Sequence, residues 1–209
     1  MRITVHEFMS LDGVVQGPGA ADEDPSGGFT AGGWAVPLFD EESGGIVDSW
    51  FQRVGALLFG RTTYGIMKPF WSQVTDPGDR VAAAMNGLPK YVVSGTLGPQ
   101  DWQPTTVLPD LDAVRALKDQ PGDGELQVHG SGRLARGLLA AGLVDELRII
   151  TFPVVLGRGK RLFDTGTPAG GFTVVDARTL PSGVSYLALT PKPLETGAYA
   201  VRDGKEVVV

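Results

Sequence analysis

The 209-residue chain contains no cysteine and only two histidines. The first absence removes disulfides, iron–sulfur clusters, cysteine-ligated zinc and cysteine nucleophiles together, and it is compatible with a reducing, cytoplasmic setting. The two histidines, His6 and His129, show no metal-ligand spacing, so no metal is expected. Basic residues are also scarce: 18 Lys and Arg stand against 24 Asp and Glu, a net charge of −6. No basic cluster offers a face for phosphate backbones, which argues against nucleic acid as a partner. Long apolar runs are missing too. Val54 to Gly60 and Ile149 to Gly157 fall far short of the ~20 residues that span a bilayer. Met1 to Gly13 carries a polar residue at nearly every second position, the pattern of a strand and not of a signal peptide. No membrane partner is expected. Internal repeats and long low-complexity linkers are absent as well.

What remains is a chain that is 42% hydrophobic, long enough to bury a real core. Ile3 and Val5 alternate with Thr4 and His6 as in a strand with differently occupied faces. Ser10 to Gly33 is rich in Gly, Pro, Asp and Ala, a long irregular loop of the kind that serves as a lid. Ile46, Val47, Trp50, Phe51 and Val54 make a helical stripe, with Asp40, Glu41 and Glu42 near its start and Gly55 as its stop. Ala56 to Phe59 reads as a strand, and Gly60-Arg61-Thr62-Thr63 as a turn opening a helix through Met67. Asp79 to Asn86 reads as a helix, Tyr91 to Val93 and Thr105 to Leu108 as strands. Asp110 caps a helix through Lys118. Glu125 to His129 is strand-like and runs into Gly130-Ser131-Gly132, a helix then continuing to a stop at Gly142. Leu147 to Leu156 is apolar on both faces, as in an interior strand. Phe172 to Arg178 and Val184 to Leu189 form a hairpin around Pro181-Ser182-Gly183. The expectation is one α/β domain over residues 1–190, with a mostly parallel sheet and an antiparallel edge, and a peripheral tail over 191–209 with an Asp203-Gly204 turn.

Three strand exits carry phosphate-compatible chemistry. At Val128-His129-Gly130-Ser131-Gly132 the glycines let backbone approach a ligand, and the following helix start offers free N–H groups. Phe59-Gly60-Arg61-Thr62-Thr63 repeats the construction and adds a guanidinium and two hydroxyls. Val93-Ser94-Gly95-Thr96 is the third. Ligands of open α/β sheets bind at the carboxyl ends of strands, so the three together suggest one extended nucleotide. Taken singly, each is also an ordinary βα turn, and Arg61 an ordinary surface ion pair. Neither a Rossmann fingerprint nor a Walker A loop is present.

Four segments give the chain a family likeness: Ser10-Leu11-Asp12-Gly13, Leu58 through Tyr64, Val128 through Gly132, and Gly142 through Leu147. The last leads into Pro153-Val154-Val155-Leu156-Gly157-Arg158-Gly159. In this order they resemble the dihydrofolate reductase-like superfamily, most closely the branch of the riboflavin-biosynthesis reductase domain, over residues 1 to about 190. The resemblance implies a central, mostly parallel sheet with flanking helices, NADPH as cofactor, a homodimer, and hydride transfer to a small, flat heterocyclic or carbonyl or imine substrate. It places Gly60, Arg61, Thr62 and Thr63 on the adenosine side, with Arg61 and Ser94 near the 2′-phosphate. Gly130, Ser131, Gly132, Arg133 and Leu134 fall at the pyrophosphate, and Phe8 and Val15 beside the nicotinamide. Two departures stand out. The folate enzymes' helix carboxylate aligns with Val47, one residue from Asp48, and the Glu that precedes the Gly-rich turn in the riboflavin enzyme is His129 here. The alternatives are a reductase acting on 5-amino-6-(5-phosphoribosylamino)uracil or dihydrofolate, and a non-catalytic NADPH-binding module.

His129 and Asp48 are the candidate catalytic groups. His129 is a proton donor or substrate partner in one reading and a packed, backbone-satisfied histidine in the other. Asp48 is a catalytic acid or a rim carboxylate. Asp12 reads as an Asx-type turn holding Gly13. Asp145 and Glu146 fix a helix-to-strand turn. Trp34, Trp50, Phe51, Phe70 and Trp71 could wall a flat pocket, with Trp50 and Phe51 assigned to the core and Trp34 to the lid.

Overall fold

Thr4, Ile3, Val5 and His6 are all buried, which makes their strand, β1 (Arg2–Ser10), the centre of the molecule. A computed structural model describes residues Met1–Val209. On one side of β1 lie β5 (Glu125–His129), β2 (Val54–Gly60), β3 (Lys90–Val93) and β4 (Thr105–Leu108), all parallel. On the other lie β6 (Glu146–Phe152), parallel to it, and the antiparallel pair β8 (Ser185–Lys192) and β7 (Gly171–Thr179) at the edge. A mostly parallel sheet with an antiparallel end is the expected architecture.

Two apolar layers cover this sheet. Helices α1 (Glu41–Phe51), α2 (Arg61–Trp71) and α3 (Arg80–Gly87) bury Ile46, Trp50, Phe51, Tyr64, Ala84 and Met85 on one face. Helices α4 (Leu111–Lys118) and α5 (Gly132–Ala140) bury Val114, Leu117, Leu134, Ala135 and Leu138 on the other, against Ile3, Val5, Leu126 and Val128. Asp40, Asp79 and Asp110 cap α1, α3 and α4, each accepting from a backbone N–H three residues on. Helix α5 closes in a Schellman turn: the Leu143 N–H donates to Leu138 and the Gly142 N–H to Leu139, with Gly142 at φ +65°.

Several boundaries differ from the sequence reading. Helix α1 ends at Phe51, and Gly55 lies inside β2 at a register shift opposite β5. There it meets Gly124: a Cβ on Gly124 would sit 2.5 Å from the Gly55 Cα. The glycine pair serves close strand approach and does not stop a helix. Helix α2 continues to Trp71, with Pro69 in its last turn. Strand β6 stops at Phe152, before Pro153, which has no N–H to donate to a ladder. The 191–209 tail contains its own hairpin, β9 (Tyr199–Arg202) and β10 (Lys205–Val208), around Asp203 and Gly204 at φ +51° and +71°.

Gly124→Ala tests the close approach. Forcing β2 and β5 apart at their starts is expected to cost about 1–3 kcal/mol, read as a lower urea midpoint at unchanged m-value.

Candidate functional site

Strands β3, β2 and β5 are consecutive neighbours in the sheet, so the three glycine-containing exits share one edge. A hydrogen bond joins two of them: the Gly60 N–H donates to Ser131 Oγ at 2.9 Å. Gly130 and Ser131 both adopt left-handed backbone, φ +64° and +63°, which aims Ser131 at β2. That contact diverts the hydroxyl from its own helix, and no side chain caps α5. Helix α2, with Gly60 at its N-cap, has no side-chain cap either. Two helices therefore point first-turn amides without a side-chain partner at the same stretch of edge, whereas Asp residues close the other three.

The surrounding side chains fit that polarity. Arg61 Nη1 donates to Thr96 Oγ1 at 2.6 Å, which reaches from α2 to the β3 exit. There the Ser94 hydroxyl accepts from the Thr96 and Leu97 amides. Thr62 and Arg133 are exposed, and Leu134 is buried beneath the turn. A Cβ on Gly130 would stand 3.4 Å from Thr63, and one on Gly132 would stand 3.1 Å from Val15. Arg61, Arg133 and Arg158 are exposed and form no ion pair, although most cations of this acidic chain do. No group of three His, Asp or Glu residues is arranged to hold a metal.

The loop after β1 is held at many points. Asp12 accepts from the Ser10 hydroxyl at 2.7 Å, from the amides of Leu156 and Gly157, and from Arg161. The Ser10 hydroxyl foremost, then the two amides, hold its carboxyl at about pKa 2. Asp12 thus fixes the turn at Gly13 and also straps the segment after β6 to the exit of β1. Trp34, expected in a lid, is buried: its Nε1 donates to the Gln16 carbonyl and its ring packs edge-on against Phe152. The loop is a built wall. Phe8 faces the α1 layer beside Phe39 and Phe152, while Val15 packs in the α5 layer. Trp50 and Phe51 are core; Phe70 lies on the surface.

His129 is buried between the rings of His6 and Phe51, each centred 4.6 Å away. Gln127 donates through Nε2 to the Trp50 carbonyl and Glu125, so its Oε1, 3.0 Å from His129 Nε2, is the acceptor there. His129 therefore carries its proton on Nε2, already engaged. Burial, reinforced by Arg148, lowers its pKa to about 3, and burial likewise holds His6 far below its usual range. At neutral pH His129 offers an acceptor and no acidic proton. Of the two readings of His129, this placement favours the packed histidine over the proton donor. Asp48 pairs with Arg80 at 2.8 Å and is about half exposed, so the structure supports its rim-carboxylate reading. Asp145 accepts from the Ile3 amide and Lys118, as a turn-fixing residue should.

Sequence reasoning passed over Glu7. Ile3, Val5 and Met9 share its face of β1 and pack in the α5 layer, so the signal was a carboxylate in an apolar register. Glu7 is 2% exposed, with Oε1 unpartnered. Burial pushes its pKa up to about 8 against the opposing pull of Arg136.

Comparison with known proteins places the chain in a family. A family model described as the RibD C-terminal domain matches residues 1–186. The uncharacterized protein YyaP of Bacillus subtilis (strain 168) is 27% identical over 190 residues, covering 88% of this chain and 91% of that protein. Among solved structures, a putative riboflavin biosynthesis protein from Shewanella sp. PV-4 has a TM-score of 0.64 at 24% identity, covering 92% of this chain and 99% of its own. A pyrimidine reductase-like protein from Corynebacterium diphtheriae has a TM-score of 0.56 at 12% identity, covering 91% and 92%. At these identities the two structures attest the fold.

Glu7 gives a pH-dependent prediction. Folded protein keeps its proton up to about pH 8, whereas the usual value for this carboxyl is 4.5. Between those values the folded state binds more protons, so this group's contribution to stability falls as pH rises. Glu7→Gln is expected to flatten that slope and to raise Tm relative to wild type at pH 8 but not at pH 4; parallel Tm-against-pH curves would refute it.

Proposed function

The chain belongs to the RibD C-terminal domain family, a family of reductases, and from this premise we propose that it is an NADPH-dependent reductase acting on a small, flat heterocyclic or carbonyl or imine substrate. The observation that carries the cofactor reading is the pair of uncapped helix starts fastened together by Gly60 and Ser131. Their amides suit phosphate oxygens, and the dipoles of α2 and α5 favour the same charge. Gly130, Ser131, Gly132, Arg133 and Leu134 take the pyrophosphate. Gly60, Thr62, Thr63 and Ser94 border the adenosine side, where Arg61, steadied by Thr96, faces the 2′-phosphate. Glycine at 132 leaves the space next to Val15 that a Cβ would crowd. NADPH, when bound, supplies the hydride.

The protein's own contribution is to bind, orient and exclude water. Val15 and Phe8 border the reacting end, and Phe8 and Phe39, which pack together and are not fully buried, supply apolar surface for a flat acceptor. With the His129 proton engaged by Gln127 and Asp48 paired to Arg80, water delivers the proton. Those same two placements weigh against dihydrofolate and the ribosylated uracil as acceptors. The cysteine-free composition fits a cytoplasmic setting.

A homodimer completes the proposal. The outer edge of β7 is unpaired, with Val174 and Val175 exposed. The β9–β10 hairpin presents Tyr199, Val201 and Val208 on one face, all about three-quarters exposed, and a lone two-stranded hairpin is marginal in water. Sedimentation of the full chain is expected to show a dimer, and deletion of 194–209 a shift toward monomer. A full-length monomer at micromolar concentration contradicts this.

The cofactor reading is tested by titrating wild type and Arg61→Ala with NADPH and NADH. Wild type is expected to prefer NADPH, and the variant to lose about 2 kcal/mol of that preference. Equal affinity of wild type for both nucleotides would remove the 2′-phosphate assignment.

A further inference from the structure

Beside the strand exits, on the side away from Arg61, lies a concavity of about 290 Å³ between the loop after β1 and the turn after β6. Gln16, Ser26, Arg158 and Lys160 line it together with Gly27 and Gly159, and Phe29 is its single large apolar side chain. Neighbouring cations are matched, Arg136 to Asp164, Lys160 to Asp24 and Arg161 to Asp12. Arg158, exposed and lining the cleft, has no such partner. Lys160 Nζ donates to Asp24 at 2.6 Å and to Ser26 Oγ at 2.8 Å. An ammonium has three donors, which leaves one. The Asp24 carboxylate pairs with Lys160 and not with Arg158.

The frame around these groups is fixed. Gln16 is buried, and its amide joins both walls: Nε2 donates to the carbonyls of Asp24 and Ser26, and Oε1 accepts from the Lys160 N–H. Gly159, at φ +128°, cannot bear a side chain, because a Cβ would fall 2.6 Å from Val14. The cleft also has a definite place relative to the proposed cofactor. The Val15 N–H donates to the Lys160 carbonyl, and Val15 abuts the start of α5. Across the edge, in sheet order, come the β3 and β2 exits with Arg61, then β5 with Arg133, then the β1 and β6 loops with Arg158. The cleft thus adjoins, through Val15, the β5 end of the proposed cofactor edge. What lies beyond the cofactor's reacting end is the acceptor.

We propose that this cleft is an oxyanion site that anchors a phosphate or carboxylate group of the acceptor, with Arg158 and Lys160 as its donors and Gln16 as the residue that positions them. The assignment to the acceptor rests on the reductase reading above.

The test uses protein saturated with NADP⁺, so that the phosphate sites of the cofactor are filled, and titrates it with inorganic phosphate and, separately, acetate by calorimetry. Wild type is expected to bind at least one of the two saturably. Arg158→Ala, a substitution at an exposed side chain, is expected to weaken that binding ~10-fold or more while leaving NADP⁺ affinity within about twofold. Phosphate and acetate affinities unchanged in Arg158→Ala, or no saturable binding of either, overturn the proposal. A large loss of NADP⁺ affinity in Arg158→Ala also overturns it, since the cleft would then hold the cofactor. Failure of wild type to bind NADP⁺ is a separate result: it removes the reductase reading, and the oxyanion site is then judged by the same titrations of Arg158→Ala and wild type without nucleotide.

Discussion

One hydrogen bond organises the carboxyl edge of this sheet, that from the Gly60 amide to the Ser131 hydroxyl. It fastens the turn after β2 to the turn after β5, strands that already pair side by side. It also requires Ser131 to adopt left-handed backbone, about 1 kcal/mol or more for a residue with a Cβ. What this conformation achieves is a helix start with its polar groups facing outward and no internal acceptor for them. A serine capping its own helix would satisfy α5 and leave an anion little to bind. Ser131 holds the neighbouring turn instead, so the amides of both helices converge. Polar satisfaction is withheld at one place and supplied everywhere comparable, which locates a ligand more sharply than glycine content does.

The layer under α1 shows the opposite policy. Glu125 receives a two-point contact from Arg148 and a hydrogen bond from Gln127, while Arg148 also reaches Glu146. A buried pair of this kind gains little net stability over apolar packing, yet loss of one partner leaves a buried charge exposed to nothing. His6 and His129 sit beside it as neutral rings, because a second positive charge near Arg148 in a dry layer is costly. Of the two roles the sequence leaves open for the His129 imidazole, proton donor and packed ring, the surrounding favours the second.

Much of this was legible in the residue pattern, for identifiable reasons. The parallel sheet and the closing hairpin followed from period-two and period-3.6 alternation cut by Gly and Pro, and Asp40, Asp110 and Gly142 stand where local capping chemistry puts them. The three exits were visible because each pairs a strand end with small or hydroxyl residues. Their adjacency was not, since strand order is a long-range property. Gly55 misled because a glycine after a helical stripe resembles a stop, and only the facing Gly124 reveals its purpose. Trp34 and the loop around it read as a lid from composition alone; the straps that hold them, Asp12 and Gln16, act across about 140 residues of chain. Glu7 was detectable as a single charged residue in an apolar register, a signal that carries meaning once the strand is known to be buried on both faces.

The central claim is that the first-turn amides of α2 and α5 jointly receive phosphate. Amide chemical shifts of the ¹⁵N-labelled protein, followed as NADP⁺ is added, report on those groups one by one. The account predicts that the signals of Arg61, Thr62, Thr63, Gly132, Arg133 and Leu134 move together along a single saturation curve, while the starts of the Asp-capped helices α1, α3 and α4 stay in place. Saturable binding that leaves Gly132, Arg133 and Leu134 unmoved would contradict it.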